Sequence, residues 1–101
     1  MTTAEAIRQA RKCVSIEGRT VTTWDGRARA WRETVAQDGW HARAMARSAR
    51  ITFALVLLDM DPDRAAMAGD YCTPIGPWET EVRLCIANYR RYQSLMLDEA
   101  R

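Results

Sequence analysis

One apolar seam near the C-terminus constrains the fold more than any other feature of the chain. Six residues recur at alternating intervals of four and three, a spacing that places them on one face of a helix about twenty residues long. They are Trp78, Val82, Cys85, Tyr89, Tyr92 and Met96. Pro77 suits the first helical position, and Glu79 and Glu81 lie in the first turn, where the helix dipole favours anions. The sequence therefore predicts a long C-terminal helix against which other elements pack.

The N-terminal segment carries the signals of a first helix. Thr2 and Glu5 form a capping box, in which each side chain accepts a hydrogen bond from an amide at the helix start. Apolar residues follow at helical spacing, and Gly18 has the conformational freedom that a helix C-terminus often needs. We therefore predict a helix over about residues 3–17.

A second helix is predicted over residues 24–37, where apolar side chains recur at intervals that place them on one helix face. These side chains are Trp24, Ala28, Trp31 and Val35. The interpretation places both tryptophans in the core and treats residues 21–23 as a linker that supplies the N-cap. Asp38 and Gly39 are expected to end this helix, with Asp38 able to cap the next one.

Residues 40–58 combine a start rich in alanine and arginine with the apolar run ITFALVLL. The start has high helix propensity and no breaker follows it, which favours one helix with a buried C-terminal half. Periodicity alone does not separate this from a central strand over residues 51–58, and the strand stays as the alternative.

Asp61 and Pro62 form a favourable helix opening, and a short helix to about Ala68 is expected, followed by a loop up to Pro77. The chain has 101 residues, enough for one modest core. The expected fold is therefore all-α: one domain over residues 1–101, with four to five helices and a long C-terminal helix.

Charge divides the chain at its middle. Residues 1–50 carry ten basic and five acidic side chains, a net charge of +5, and residues 51–101 carry five and eight, a net charge of −3. Helix starts account for much of the acidic excess. The basic half also holds three of the four tryptophans and the one histidine, His41. Function is therefore sought in the basic half.

Arg43, Arg47 and Arg50 follow one another at i, i+4, i+7 on the helix predicted there. Such a stripe is either a solvated helix face or an anion-binding ridge, which arginines from the neighbouring predicted helix can join. Trp40 and His41 follow a turn, where an aromatic side chain is suited to a contact surface. The predicted partner-binding residues are Arg29, Arg32, Trp40, His41, Arg43, Arg47 and Arg50.

Neither catalysis nor a cofactor is predicted. His41 has no adjacent serine or cysteine to activate, and no glycine-rich phosphate loop occurs. Three cysteines without a CxxC pair indicate neither a zinc site nor a disulfide framework. The spacing of Asp59, Asp61 and Asp63 is similar to that of a calcium-binding loop, but Arg64 stands where that loop needs glycine. Helix capping is therefore favoured, and no metal is expected.

No apolar segment of signal-peptide or membrane-spanning type is found, and a cytoplasmic location is expected. The leading hypothesis is a small non-enzymatic binding protein, a regulator or inhibitor of the kind that phages and mobile elements encode. Its partner would present an acidic surface, with protein favoured over nucleic acid.

Two alternatives remain open for the function. One is a DNA- or RNA-binding regulator with a helix-turn-helix-like segment at residues 30–50. The other is a small accessory subunit of a larger enzyme. The long C-terminal seam also predicts a homodimer through Tyr89, Tyr92 and Met96.

Overall fold

A computed structural model of the chain describes residues 1–26, 28–61 and 77–99, with side chains to residue 91. Within them the fold is mixed α/β and not the all-α bundle that we predicted, because a three-stranded antiparallel sheet stands between the helices. The elements in chain order are α1 (Thr3–Lys12), β1 (Val14–Glu17), β2 (Thr20–Asp25), β3 (Ala30–Val35), α2 (Gly39–Leu57) and α3 (Trp78–Glu99).

The capping box at the first helix is confirmed, but the predicted length of that helix is wrong. The Glu5 amide donates to Thr2 Oγ1 at 3.2 Å, and the Thr2 amide donates to Glu5 Oε2 at 3.4 Å. The helix ends at Lys12 instead of near residue 17, and the chain continues as β1. Gly18 does not terminate a helix; it takes φ +60° between β1 and β2.

The predicted helix over 24–37 is wrong, as is the linker before it, because these residues form β2, a turn and β3. Trp24 and Trp31 are seven residues apart, which suits two turns of a helix but also two facing positions of a hairpin. The register pairs them directly across β2 and β3. The expectation that both tryptophans lie in the core is corrected accordingly, since Trp31 is 53% exposed.

The helix over residues 40–58 is confirmed as α2, and the alternative strand over 51–58 is rejected. Asp38 is its N-cap, as predicted: Asp38 Oδ1 accepts the His41 amide at 2.8 Å. Buried residues change sides along this helix, and its two halves therefore pack on different parts of the molecule.

The first half of α2 covers one face of the sheet, where small side chains allow close contact. That cluster consists of Val14, Val21, Ala36, Ala42 and Ala46. The second half packs between α1 and α3 in a larger cluster. Its buried members are Ala6, Ile7, Ala10, Ile51, Ala54, Leu55, Val82, Cys85 and Ile86.

The long C-terminal helix is confirmed as α3. Pro77 immediately precedes it, and the Pro77 carbonyl accepts the amides of Thr80 and Glu81. Val82 and Cys85 of the predicted seam are buried, with Trp78 and Tyr89 packed beside them. The side chains of Tyr92 and Met96 lie outside the described part, as do the helix predicted from Pro62 to Ala68 and the loop after it.

Candidate functional site

β3 is exposed at every one of its six positions. It stands at the end of the strand order β1-β2-β3, so one of its backbone edges faces no other described strand. The main contacts of α2 with the sheet are with β1 and β2, and the side chains of β3 stay exposed on both faces. An ordered strand with both faces and one edge accessible is a natural contact surface.

The outer face of the sheet, the face turned away from α2, carries a tryptophan pair. The rings of Trp24 and Trp31 meet edge to face, with centroids 5.3 Å apart and planes at 64°. Because side chains alternate along each strand, the register places further residues on this face. They are Ser15, Glu17, Thr20, Thr22, Glu33 and Val35. Within the described strands, this face therefore holds two carboxylates and no basic side chain.

An open groove of about 980 Å³ lies between the inner face of the sheet and α2. Its apolar walls include Val21 on the sheet, with Met45 and Phe53 on the helix. Arg32 Nε lies 2.7 Å from Asp25 Oδ2 on the sheet side, where the ion pair joins β2 to β3. The groove is thus apolar for most of its length and charged near the β2–β3 turn.

The structure places five of the seven predicted partner-binding residues in two groups on either side of β3. Arg29, which has φ +50°, and Arg32 belong to the turn end. Trp40, His41 and Arg43 lie in the first turns of α2, which follows the other end of the strand. A six-residue strand is about 20 Å long, so the two groups do not form one cluster; β3 connects them.

The start of α2 is ordered by its cap. Asp38 Oδ1 accepts the His41 amide and lies 2.9 Å from His41 Nδ1, and these two hydrogen bonds lower the pKa of Asp38. The His41 ring meets the Trp40 ring edge to face at 5.0 Å. Trp40 is nevertheless 62% exposed, so the indole is oriented by its neighbour while its surface stays accessible.

The three arginines of the stripe on α2 differ in exposure and in their contacts. Arg43 is exposed, but Arg47 Nη2 lies 3.4 Å from Glu81 Oε1 of α3, with the two side chains only 18% and 4% exposed. Arg50 is partly buried. The stripe therefore runs from solvent into the contact between α2 and α3.

Sequence reasoning missed the exposed strand because it missed the hairpin. Asp25-Gly26 is a common turn dipeptide, and it stands between two segments rich in β-branched and aromatic residues. In the structure, Asp25 Oδ1 accepts the Ala28 amide at 3.1 Å. Val35, which is 64% exposed, was assigned to a buried helix face for the same reason.

Among the described residues, no cluster of three or more metal-binding side chains occurs, and no helix has the length and apolar character needed to cross a bilayer. Burial raises the pKa of the Cys13 thiol, which disfavours the reactive thiolate. Comparisons of the chain with protein-family models, curated proteins and solved structures found no match.

Proposed function

We propose that this protein is a small non-enzymatic binding protein, of the regulator or inhibitor type, that acts by occupying a macromolecular partner. The contact surface is β3 together with the first turns of α2. One observation carries the proposal: β3 is exposed at all six positions although it is part of an ordered sheet. Three large apolar side chains, Trp31, Val35 and Trp40, are more than half exposed within this short stretch.

Each exposed tryptophan already contacts a neighbouring ring without any partner bound. Trp31 contacts the Trp24 ring, and Trp40 contacts the ring of His41. A side chain that is already ordered loses less conformational entropy on association. Tryptophan is also among the residue types most often found at binding hot spots. These contacts therefore favour a role for Trp31 and Trp40 as anchors.

The charge distribution favours a protein partner over nucleic acid. The tryptophan face of the sheet carries Glu17 and Glu33, which repel a phosphate backbone. A DNA- or RNA-binding helix-turn-helix over residues 30–50 would need a helix at its start, but residues 30–35 form β3. Arg29, Arg32 and Arg43 flank the tryptophans and are suited to carboxylates at the rim of a protein interface.

The test is affinity capture from extracts of the native host, with Trp31→Ala, Trp40→Ala and the double variant beside the unmodified protein. Leu84→Ala is the matched control, because Leu84 is an exposed apolar residue on α3 and remote in sequence from β3. We expect one stoichiometric protein whose retention falls about tenfold or more in each tryptophan variant, as for hot-spot residues. Leu84→Ala should retain it.

Two results would contradict the proposal. One is full retention of the captured protein by the double tryptophan variant. The other is direct binding to a mixed-sequence DNA duplex or single strand at about 0.1 M salt with a steep salt dependence, which would assign the surface to nucleic acid instead. Fluorescence anisotropy with labelled oligonucleotides measures the second.

A further inference from the structure

We propose that β3 receives an extended segment of the partner protein as an additional strand, so that the three-stranded sheet becomes four-stranded in the complex. This inference rests on the proposed function and specifies how the partner is held. Strand addition uses backbone hydrogen bonds for affinity and alternate side chains for specificity.

The hydrogen-bond pattern shows which backbone groups of β3 are accessible. The Ala36 amide donates to the Arg19 carbonyl at 2.8 Å, and the register continues this pairing through β2 and β3. Hydrogen-bonded pairs alternate in antiparallel ladders, so even-numbered residues of β3 bond to β2. The amides and carbonyls of Trp31, Glu33 and Val35 therefore point away from the sheet, toward an incoming strand.

The edge of β3 that faces no other described strand lacks three of the features that block strand pairing, although β3 carries the charged residues Arg32 and Glu33. Its sequence, AWRETV, contains neither proline nor lysine. The register with β2 is uninterrupted over all six residues, so no bulge bends the edge away. Natural proteins often use these features to block pairing, and an edge without proline, lysine or a bulge can accept a further strand.

A second copy of this chain fits the edge poorly. Two β3 strands related by a two-fold axis overlap best when centred on Arg32 or Glu33. The first register sets Arg32 opposite Arg32, and the second sets Glu33 opposite Glu33. Like charges facing each other across strands are destabilising, so the edge is suited to a different chain.

Side chains beside the edge define the chemistry of the segment. On the outer face, Trp31 and Val35 favour apolar or β-branched neighbours, and Glu33 between them favours a basic one. On the groove face, Arg32 and Thr34 stand next to the edge. The Arg32 side chain is 67% exposed although it pairs with Asp25, and it is suited to an acidic residue of the incoming strand.

The test selects binders from a phage-displayed library of random peptides of about twelve residues, long enough to cover a six-residue strand. Selected peptides are measured on three variants. Glu33→Pro removes a backbone amide that points away from β2 and makes no hydrogen bond to it. Glu33→Ala removes the same side chain but keeps this amide. Ile16→Pro removes an outward amide from β1, the opposite edge, because the Trp24 amide bonds to the Cys13 carbonyl and fixes the alternation there.

We expect enriched peptides of alternating apolar and polar character that bind Glu33→Pro about tenfold more weakly than Glu33→Ala. Ile16→Pro should bind like the unmodified protein. Circular dichroism verifies that each variant is folded. Hydrogen exchange tests strand addition in the unmodified protein. Bound peptide should slow exchange at the amides of Trp31, Glu33 and Val35.

Strand addition is wrong if no peptide is enriched, if peptides bind Glu33→Pro as well as Glu33→Ala, or if exchange slows elsewhere. A dimer that Glu33→Pro abolishes and Ile16→Pro preserves would assign the edge to a second copy and overturn the inference. Failure here is distinct from failure of the proposed function. If the captured host protein depends on Trp31 and Trp40 but is retained by Glu33→Pro, the function stands without strand addition.

Discussion

Arg43 and Arg47 stand one helical turn apart on α2, yet their surroundings differ. Arg43 is exposed, whereas Arg47 faces Glu81, whose side chain is almost completely buried. A carboxylate buried among helices needs a cation or hydrogen-bond donors close by, because its desolvation is costly. Arg47 therefore contributes to the α2–α3 contact, and substitutions there change folding as well as any binding.

Replacing Arg47 by alanine should lower the free energy of unfolding by about 3 kcal/mol, since Glu81 loses its charged partner. Arg43→Ala is the matched control and should change it by less than about 0.5 kcal/mol. Urea denaturation followed by circular dichroism measures both. Equal stabilities of the two variants would show that the ion pair does not support the fold.

At the scale of elements, the two hairpins of the sheet turn by different means. Gly18, between β1 and β2, has φ +60°, a conformation in which an L side chain is strained. Gly26, in the turn after β2, shows no such angle. An added Cβ would meet nothing within 4 Å at either glycine. Alanine substitutions at these two glycines therefore differ in backbone strain and not in steric contact.

We expect Gly18→Ala to destabilise the protein by about 1 kcal/mol, because alanine resists the left-handed conformation. Gly26→Ala should be neutral or slightly stabilising, since it restricts the unfolded chain without straining the native turn. Thermal unfolding of the two variants provides the comparison. A larger loss at Gly26 than at Gly18 would contradict this account of the hairpins.

At the scale of the whole molecule, the shape is elongated, with extents of 50 × 27 × 21 Å. The radius of gyration is 14.6 Å, compared with about 13 Å for a compact chain of this length. α3 alone spans about 33 Å, and among its side chains described up to residue 91 the buried apolar ones are Val82, Cys85 and Ile86. A helix of this length in a chain of 101 residues offers a surface that a second copy can use.

The predicted homodimer remains to be tested. Multi-angle light scattering at micromolar concentration should give twice the mass of the chain, because the seam continues through Tyr92 and Met96. The double variant Tyr92→Arg/Met96→Arg should be monomeric, and Leu84→Arg, at an exposed site on the same helix, should leave the dimer intact. A strict monomer for the unmodified protein would refute the seam as an interface.

Local signals in the sequence determined the helices. The capping box of Thr2 and Glu5, the Asp38 cap and the spacing after Pro77 each predicted a real helix start, because capping and dipole effects involve only neighbouring residues. The apolar run within residues 40–58 correctly predicted a helix, and Ile51, Ala54 and Leu55 are buried in it, although Val56 is 56% exposed. Its partners were beyond prediction, since burial depends on which elements meet.

Tertiary structure decided the part of the candidate surface that β3 provides. Trp24 and Trp31 satisfy helical and hairpin spacing equally, and pairing with β1 across the Gly18 turn resolves the ambiguity in favour of strands. The sequence does show an arginine at position 47, but the position of α3 determines that it pairs with Glu81. β3 stays exposed because the main contacts of α2 with the sheet are with β1 and β2. The pairing of Arg47 with Glu81 and the packing of α2 on the sheet arise from contacts between residues far apart in the chain, which local patterns do not encode.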